Sequence, residues 1–148
     1  MSIVERRSQI RCSQARAFEV SQDYQLRRRW DPFSSRRKDY PGGAIAGKGA
    51  VFTVVAWHGA QMKIEYVSWL PPERAAIRAA PATWFLNLFA GSWCFVPVGE
   101  VLVEARFRYQ IQARPGWRWL EPVMRAYFSW ESGRRLAALK RYLESRVG

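Results

Sequence analysis

The chain has little of the chemistry on which most enzyme sites depend. It contains one histidine, His58, and aspartate occurs only at positions 23, 31 and 39. A Ser-His-Asp or Cys-His arrangement would have to use His58, which follows a predicted strand beside Gly59. A solvated turn histidine is the simpler interpretation. With so few potential ligands, the sequence predicts no metal site and no cofactor.

Cysteine is scarce, and long apolar runs are absent. Cys12 and Cys94 are far apart and lack metal-type spacing. We expect them to be free thiols in a reducing compartment, although a disulfide between them stays open. No apolar run approaches the ~20 residues of a membrane span. The N-terminal residues MSIVERRSQI also lack the apolar core of a signal peptide, so we expect a cytoplasmic protein.

Acidic residues are outnumbered two to one. The chain has 24 Lys and Arg against 12 Asp and Glu, a net charge of +12. A positive field of this kind favours an anionic membrane surface, nucleic acid or an acidic protein. However, the basic residues are spread over the chain in short clusters: Arg6–Arg7, Arg27–Arg29, Arg36–Lys38 and Arg134–Arg135. A basic solvated surface without a specific partner is therefore the alternative.

Aromatic residues are abundant. Eight Trp, eight Phe and six Tyr occur in 148 residues, and 49% of the chain is apolar. This composition excludes disorder, and the length fits a single domain over residues 1–148. The aromatics indicate either a cavity lined by rings or a solid aromatic core, because both use the same residue types.

Alternating apolar and polar residues predict several strands. The clearest is Val101–Gln112, in which every second residue from Val101 to Ile111 is apolar or aromatic and the others are mostly polar. One buried and one solvated face are typical of an antiparallel sheet. Further strands are predicted over Ser2–Cys12, Ala50–Trp57, Met62–Leu70, Arg74–Ala80 and from Phe89, with Ser34–Tyr40 at best an edge strand.

Helices are predicted in two places. Ser13 has the character of an N-cap for a first helix, and a second short helix would run from Ser21 to about Arg29, ending before Asp31-Pro32. The largest element is Trp117–Val147, whose apolar residues follow a helical period. At 1.5 Å per residue this helix would span roughly 45 Å. It would therefore lie along the apolar face of the sheet.

A glycine-rich stretch superficially matches a phosphate-binding loop. Gly42–Lys48 reads GGAIAGK, but Gly49 stands where that motif needs Ser or Thr. A strand follows, whereas a phosphate-binding loop must lead into a helix. Nucleotide binding is therefore not expected here.

The order of elements and several short motifs resemble one superfamily. They are Ala17-Phe18-Glu19-Val20 in the first helix, Trp30-Asp31-Pro32, Trp69-Leu70-Pro71-Pro72-Glu73-Arg74, Gly91-Ser92-Trp93-Cys94-Phe95-Val96-Pro97, and Arg135-Leu136-Ala137-Ala138-Leu139-Lys140. Nearly the whole chain resembles the SRPBCC or START-like helix-grip superfamily, and in particular the bacterial polyketide cyclase/dehydrase-like proteins. The resemblance implies an α+β fold in which a curved seven-stranded antiparallel sheet wraps around a long C-terminal helix. It also implies two short helices between strands 1 and 2.

The resemblance further implies an apolar cavity between sheet and helix. The expected lining is Trp30, Phe33, Tyr66, Trp84, Phe89, Trp93, Phe95, Phe107, Tyr109, Met124, Tyr127 and Phe128. Its polar groups would be Tyr66, Tyr109 and Glu131, which are the candidates for any catalysis. Gly42, Gly43, Gly47 and Gly49 would form a lid loop at the mouth, with a plain flexible turn as the alternative. On the long helix, Met124 and Phe128 would face the mouth, and Leu136, Leu139 and Leu143 would form ordinary core.

Three functions remain in competition. The first is binding of a small hydrophobic or aromatic ligand such as a lipid, a quinone or a polyketide-like molecule. The second is a cyclase/dehydrase-like enzyme that acts in the same cavity through tyrosine or carboxylate groups. The third is an interaction role in which the basic surface contacts RNA, the ribosome or an anionic membrane.

Overall fold

Seven strands form one antiparallel sheet. The computed structural model describes residues 2–23, 29–31, 36–37, 51–55, 61–79 and 86–145. The strands are β1 (Ser2–Ile10), β2 (Arg36–Arg37), β3 (Val51–Val55), β4 (Gln61–Leu70), β5 (Arg74–Ala79), β6 (Leu86–Gly99) and β7 (Leu102–Ala113). Their order in the sheet is β1-β7-β6-β5-β4-β3-β2. Consecutive strands from β2 to β7 are therefore neighbours, as short connections favour, and β1 closes the row beside β7.

The alternation in β7 determines which side of the sheet is buried. Val103, Ala105, Phe107, Tyr109 and Ile111 are each at most 4% exposed. The predicted start at Val101 is wrong by one residue, because Val101 lies in the turn after β6 and is 72% exposed. The pairing of β6 with β7 extends β6 beyond its predicted start at Phe89, because Leu86 lies opposite Ala113.

The first helix, α1, spans Gln14–Gln22. It begins as predicted, because the Ser13 hydroxyl accepts a hydrogen bond from the Arg16 amide at 3.2 Å. Its Phe18 ring packs edge-on against Trp69, with centroids 5.1 Å apart, and so anchors α1 to the sheet. The predicted second helix lies mostly outside the described residues. Its first two positions belong to α1, and Arg29 and Trp30 are helical.

The long C-terminal helix, α2, spans Glu121–Ser145. The prediction of one continuous helix from Trp117 is wrong at its start, because a 3-10 turn over Arg118–Leu120 precedes α2. Pro122 explains the boundary: proline lacks an N–H and fits only the first turn of an α-helix. The 25 residues of α2 extend about 37 Å. Within the part of the chain that the structure describes, no helix is long and apolar enough to cross a membrane.

Polar contacts fix α2 along the inner side of β1. The Arg6 guanidinium donates to the Ser129 carbonyl at 3.0 Å, and the Lys140 ammonium donates to the Gln9 carbonyl at 2.6 Å. A Cβ atom at position 133 would lie 2.9 Å from an Arg6 nitrogen, so Gly133 gives the guanidinium room to cross the helix. These contacts set the position of α2 along the sheet.

Two apolar clusters lie between the sheet and its helices. The main cluster contains Leu136, Leu139 and Leu143 of α2, each at most 2% exposed. These three leucines are ordinary core, as the helical period predicts. A second cluster lies at the other end of α2 and contains Leu86, Ile111, Ala113 and Met124. Cys12 is buried, Cys94 is half-buried, and both thiols are free.

Candidate functional site

A buried hydrogen bond joins the middle of β7 to the middle of α2. The Tyr109 hydroxyl donates to Oε1 of Glu131 at 2.5 Å. Tyr109 is 4% and Glu131 5% exposed, although both are polar and rings surround them. Tyr109 faces the helix because it occupies an inward position of the β7 alternation. Glu131 faces the sheet because it shares the inner side of α2 with Met124 and Ser132.

Arg135 and Asp31 extend this hydrogen bond into a chain of four polar groups. Arg135 follows Glu131 by one helical turn, and its Nη2 lies 3.2 Å from Glu131 Oε1. Its Nε lies 3.6 Å from Oδ1 of Asp31, whose side chain is 1% exposed. One guanidinium thus serves two buried carboxylates. We call Tyr109, Glu131, Arg135 and Asp31 the polar chain.

Burial governs the acid–base state of Tyr109. Removal from water raises the pKa of its hydroxyl far above the usual value, because the phenolate would be a buried anion. The positive charge of Arg135 opposes this shift, whereas the Glu131 carboxylate adds to it. The hydroxyl therefore keeps its proton at neutral pH and acts as a donor.

An aromatic cluster surrounds the Tyr109 end of the polar chain. The Tyr109 ring lies 4.7 Å from Phe107, 4.7 Å from Phe128 and 5.5 Å from Phe89, centroid to centroid. Phe107 meets Trp93 edge-on at 4.5 Å. The Arg135 guanidinium carbon lies 5.8 Å from the centre of the Phe107 ring, within cation–π range. The cluster is thus both close-packed and in contact with charge.

Trp30 covers the other end of the polar chain. It precedes Asp31 and packs edge-on against Trp93 at 6.3 Å. It is 7% exposed, and its indole N–H has no acceptor among the described residues. A buried donor of this kind is costly unless an acceptor is supplied.

Some apolar side chains on the concave side stay accessible. Ile77, Phe89 and Phe128 are only half-buried, although Phe89 and Phe128 both touch the Tyr109 ring. The concave side is therefore not sealed around Tyr109. Solvent reaches part of the aromatic cluster at this point.

Tyr66 lies on the same concave face but far from the polar chain. One cross-strand row runs Tyr66, Ile77, Gly91, Tyr109. Three strand spacings separate the two tyrosines, about 14 Å. Tyr66 instead packs against Trp69 at 5.1 Å. The two predicted hydroxyls therefore do not act on one atom of a small ligand.

The remaining predicted cavity residues fall into separate places. Phe95 stacks on Trp93 and contacts Phe18, whereas Met124 belongs to the second apolar cluster. Tyr127 contacts Phe128 on one side and Trp130 on the outside of α2. Outside the described residues lie Phe33, Trp84, His58 and the predicted lid glycines Gly42, Gly43, Gly47 and Gly49.

Arg135 and Asp31 were missing from the sequence-based candidates. A signal for Arg135 was present, since it follows Glu131 at the i,i+4 spacing of helical ion pairs. In the sequence, Asp31 belongs to a helix-ending Asp-Pro pair and to the motif Trp30-Asp31-Pro32, and neither predicts an ion pair. Its contact with Arg135 joins positions more than a hundred residues apart in the sequence, which no local pattern reveals.

A concavity of about 250 Å³ lies on the opposite, convex face of the sheet. Small side chains of β5 and β6, such as Ala76, Ala90 and Ser92, form its floor. Arg74 and Arg108 line it as well, and both are exposed. The sheet separates this concavity from the polar chain.

Comparison with known proteins assigns the chain to a family. Residues 1–144 match the family described as polyketide cyclase / dehydrase and lipid transport, so the protein belongs to that family. No curated protein gives a significant sequence match to the chain.

Solved structures confirm the helix-grip fold at low sequence identity. The ZhuI aromatase/cyclase from Streptomyces sp. R1128 is 15% identical, with 99% of this chain and 96% of that chain covered and a TM-score of 0.77. Norcoclaurine synthase from Thalictrum flavum, in complex with dopamine and hydroxybenzaldehyde, is 9% identical over 99% and 88%, with a TM-score of 0.71. The di-domain aromatase/cyclase BexL from the BE-7585A biosynthetic pathway is 17% identical, with a TM-score of 0.73. Its match covers 97% of this chain but only 47% of that one.

Proposed function

We propose that the protein binds a small hydrophobic or aromatic ligand between the concave face of the sheet and α2. The observation that carries this proposal is the polar chain inside an aromatic interior. A buried ion pair contributes little to stability, because desolvation offsets its attraction. Polar groups placed among apolar walls are, in contrast, what a ligand site uses for orientation.

The side chains beside the polar chain support one class of ligand. Phe89, Phe107 and Phe128 offer ring faces and edges to a flat apolar molecule. The indole N–H of Trp30, which has no acceptor in the part of the chain that the structure describes, would be satisfied by a carbonyl or phenol oxygen. An aromatic or unsaturated molecule that carries ring oxygens, such as a quinone or a cyclised polyketide, satisfies both conditions.

A fluorescent probe tests this proposal. N-phenyl-1-naphthylamine should bind saturably at one site, and a hydroxylated anthraquinone, a naphthoquinone or palmitate should displace it. We expect Phe128→Ala to weaken probe affinity about tenfold, the loss of roughly 1.4 kcal/mol of ring contact. Val123→Ala, on the outside of the same helix, is the matched control and should leave affinity unchanged. Absence of saturable binding by the probe and by all competitors would refute the proposal.

An enzyme acting at the same place is the second candidate, and the Tyr109–Glu131 hydrogen bond is what favours it. Ring closure by an aldol-type step removes a proton from a carbon beside a carbonyl and delivers one to the new alkoxide. The Glu131 carboxylate would accept the first proton and the Tyr109 hydroxyl would donate the second. Arg135 would hold the carboxylate in place.

Conservative variants separate catalysis from binding. Glu131→Gln should abolish turnover of a polyketone substrate while probe affinity stays within about threefold, since the amide keeps the shape but cannot take a proton. Tyr109→Phe should lower kcat more than it raises KM. Unchanged kcat in both variants would leave ligand binding as the function and remove these two groups from any mechanism.

A further inference from the structure

Large apolar side chains are exposed along the outside of α2 and the turn before it. Trp119 is 68%, Val123 63% and Trp130 54% exposed. At about 100° per residue, Val123 and Trp130 lie within about 20° of each other on α2, and Trp119 lies in the 3-10 turn just before it. Met124 and Glu131 lie about 100° further round the helix, toward the sheet. We call Trp119, Val123 and Trp130 the outer stripe.

Neighbouring rings hold the outer stripe in place. Trp119 stacks on Trp117 with centroids 6.1 Å apart, and its indole N–H donates to the Gly116 carbonyl at 3.1 Å. Gly116 has a φ of +91°, which a glycine adopts readily and other residues rarely do. Trp130 packs against Tyr127 at 6.0 Å. The exposed tryptophans are thus held by packing and a hydrogen bond.

Among the described residues, the exposed charged side chains beside the outer stripe are arginines. Arg118 is exposed in the turn before α2, and Arg134 is exposed on α2 within about 40° of Val123 and Trp130. The two carboxylates nearby are directed elsewhere: Glu121 accepts a hydrogen bond from Ser2 at 2.6 Å, and Glu131 is buried. Indole rings flanked by arginines match the interface of an anionic bilayer, where rings sit at headgroup level and cations meet lipid phosphates.

We infer that the outer stripe docks the protein onto an anionic lipid bilayer, with α2 lying in the plane of the surface. The stripe is a single row of side chains, which can insert between headgroups but offers little area to a folded partner. The overall charge of +12 brings the protein to such a surface.

The docking face lies directly outside the proposed ligand site. A continuous series of rings connects them: Trp130 to Tyr127 at 6.0 Å, Tyr127 to Phe128 at 5.3 Å, and Phe128 to Tyr109 at 4.7 Å. Docking would therefore present the ligand site to the bilayer from which an apolar ligand comes. This last step rests on the proposed function, whereas docking itself does not.

Vesicle binding without ligand tests the inference. The full chain should co-sediment with vesicles of equal parts phosphatidylglycerol and phosphatidylcholine, and hardly with phosphatidylcholine alone. Added salt should weaken binding, since exposed charges are screened. We expect the variant Trp119→Ser with Trp130→Ser to lower the partition coefficient about tenfold or more. Arg118→Gln with Arg134→Gln should lower it by roughly tenfold.

Matched controls use other surfaces of the same chain. Val98→Ser with Val101→Ser removes two exposed apolar residues, 53% and 72% exposed, at the turn after β6. Arg74→Gln with Arg108→Gln removes the same charge from the convex face of the sheet. The apolar control should retain vesicle binding within about twofold. The charge control should bind more tightly than the Arg118 and Arg134 variant, although it carries the same net charge.

Three results would overturn the inference. They are equal binding to neutral vesicles, equal losses in the stripe variants and their controls, and a lipid-free dimer in sedimentation velocity that the Trp119 and Trp130 variant abolishes. The last result would show that a second copy covers the stripe. Probe binding in solution is measured separately, so failure of docking and failure of the ligand site are distinguishable.

Discussion

At the scale of single residues, Tyr109 shows how burial changes an ordinary group. Its hydroxyl lies between an aromatic cluster and a carboxylate, and the pKa of the phenol is raised by removal from water. In the unfolded chain the same phenol ionises near pH 10. Stability and pH are therefore linked through this residue.

The free energy of unfolding should fall as pH rises above about 10. There the unfolded state releases the Tyr109 proton that the folded state retains, so one such group contributes a slope of up to about −1.4 kcal/mol per pH unit. Urea denaturation across this range should show a shallower fall in Tyr109→Phe than in the parent protein. Tyr142→Phe, which removes a half-buried tyrosine from α2, controls for tyrosine number. Identical slopes in all three proteins would contradict the raised pKa.

Arg135 is the counter-charge for two buried carboxylates, Glu131 and Asp31. Its replacement by methionine should cost about 3–5 kcal/mol, because the carboxylates lose their compensating charge. Arg134→Met, at the exposed neighbouring position, should stay within about 0.5 kcal/mol. Chemical denaturation compares the two variants.

A combined variant tests whether charge is the reason for this loss. Adding Glu131→Gln and Asp31→Asn to Arg135→Met should recover much of the lost stability, since no unpaired charge then remains buried. If the triple variant is less stable than Arg135→Met alone, the polar chain stabilises the fold by its hydrogen bonds. Such a result would count against a role of the polar chain in ligand binding.

At the scale of elements, the sequence predicted those structures that depend on local pattern. The alternation in β7 and the leucine spacing of α2 each identify a buried face without knowledge of the partner. Pro122 indicates that α2 starts near this residue. The helical spacing of apolar residues nevertheless includes Leu120 and therefore predicts a longer helix. The polar chain was predictable only in part. The strand alternation places Tyr109 on the inner face of the sheet and the helical period places Glu131 on the inner side of α2, but the approach of Asp31 depends on tertiary folding.

The sequence predicts Tyr66 and Tyr109 in one cavity, but strand order separates them. Both tyrosines occupy inward positions, and alternation assigns a face but gives no distance across the sheet. Only the pairing of β4 with β5, β5 with β6 and β6 with β7 shows that three strand spacings lie between them.

The two halves of α2 should respond differently to truncation. Leu139 is fully buried, so Leu139→Ala should lower the free energy of unfolding by about 2–5 kcal/mol. Phe128 is half-buried beside Tyr109, so Phe128→Ala should cost less stability and more affinity for the naphthylamine probe. Urea denaturation and probe titration of both variants give the comparison. Equal losses of stability with equal losses of affinity would contradict the division of the helix.

At the scale of the whole molecule, one helix contacts both apolar clusters. Leu139 belongs to the main cluster, whereas Met124 belongs to the cluster under Leu86 and Ile111. The two positions are fifteen residues apart on α2, about 22 Å along its axis. A rigid helix across both clusters should make them unfold together.

If the chain is one domain, it should unfold in a single cooperative transition. Met124→Ala and Leu139→Ala should each shift a single unfolding transition, with far-ultraviolet circular dichroism and tryptophan fluorescence coinciding. Their effects should add within about 0.5 kcal/mol in the double variant, because the two sites are about 22 Å apart along α2. Val123→Ala, exposed beside Met124, is the control for change within the same turn. A second transition that appears only in Met124→Ala would mean that the second apolar cluster unfolds independently of the main cluster. The outer stripe would then lie on a part of α2 that is less stable than the core.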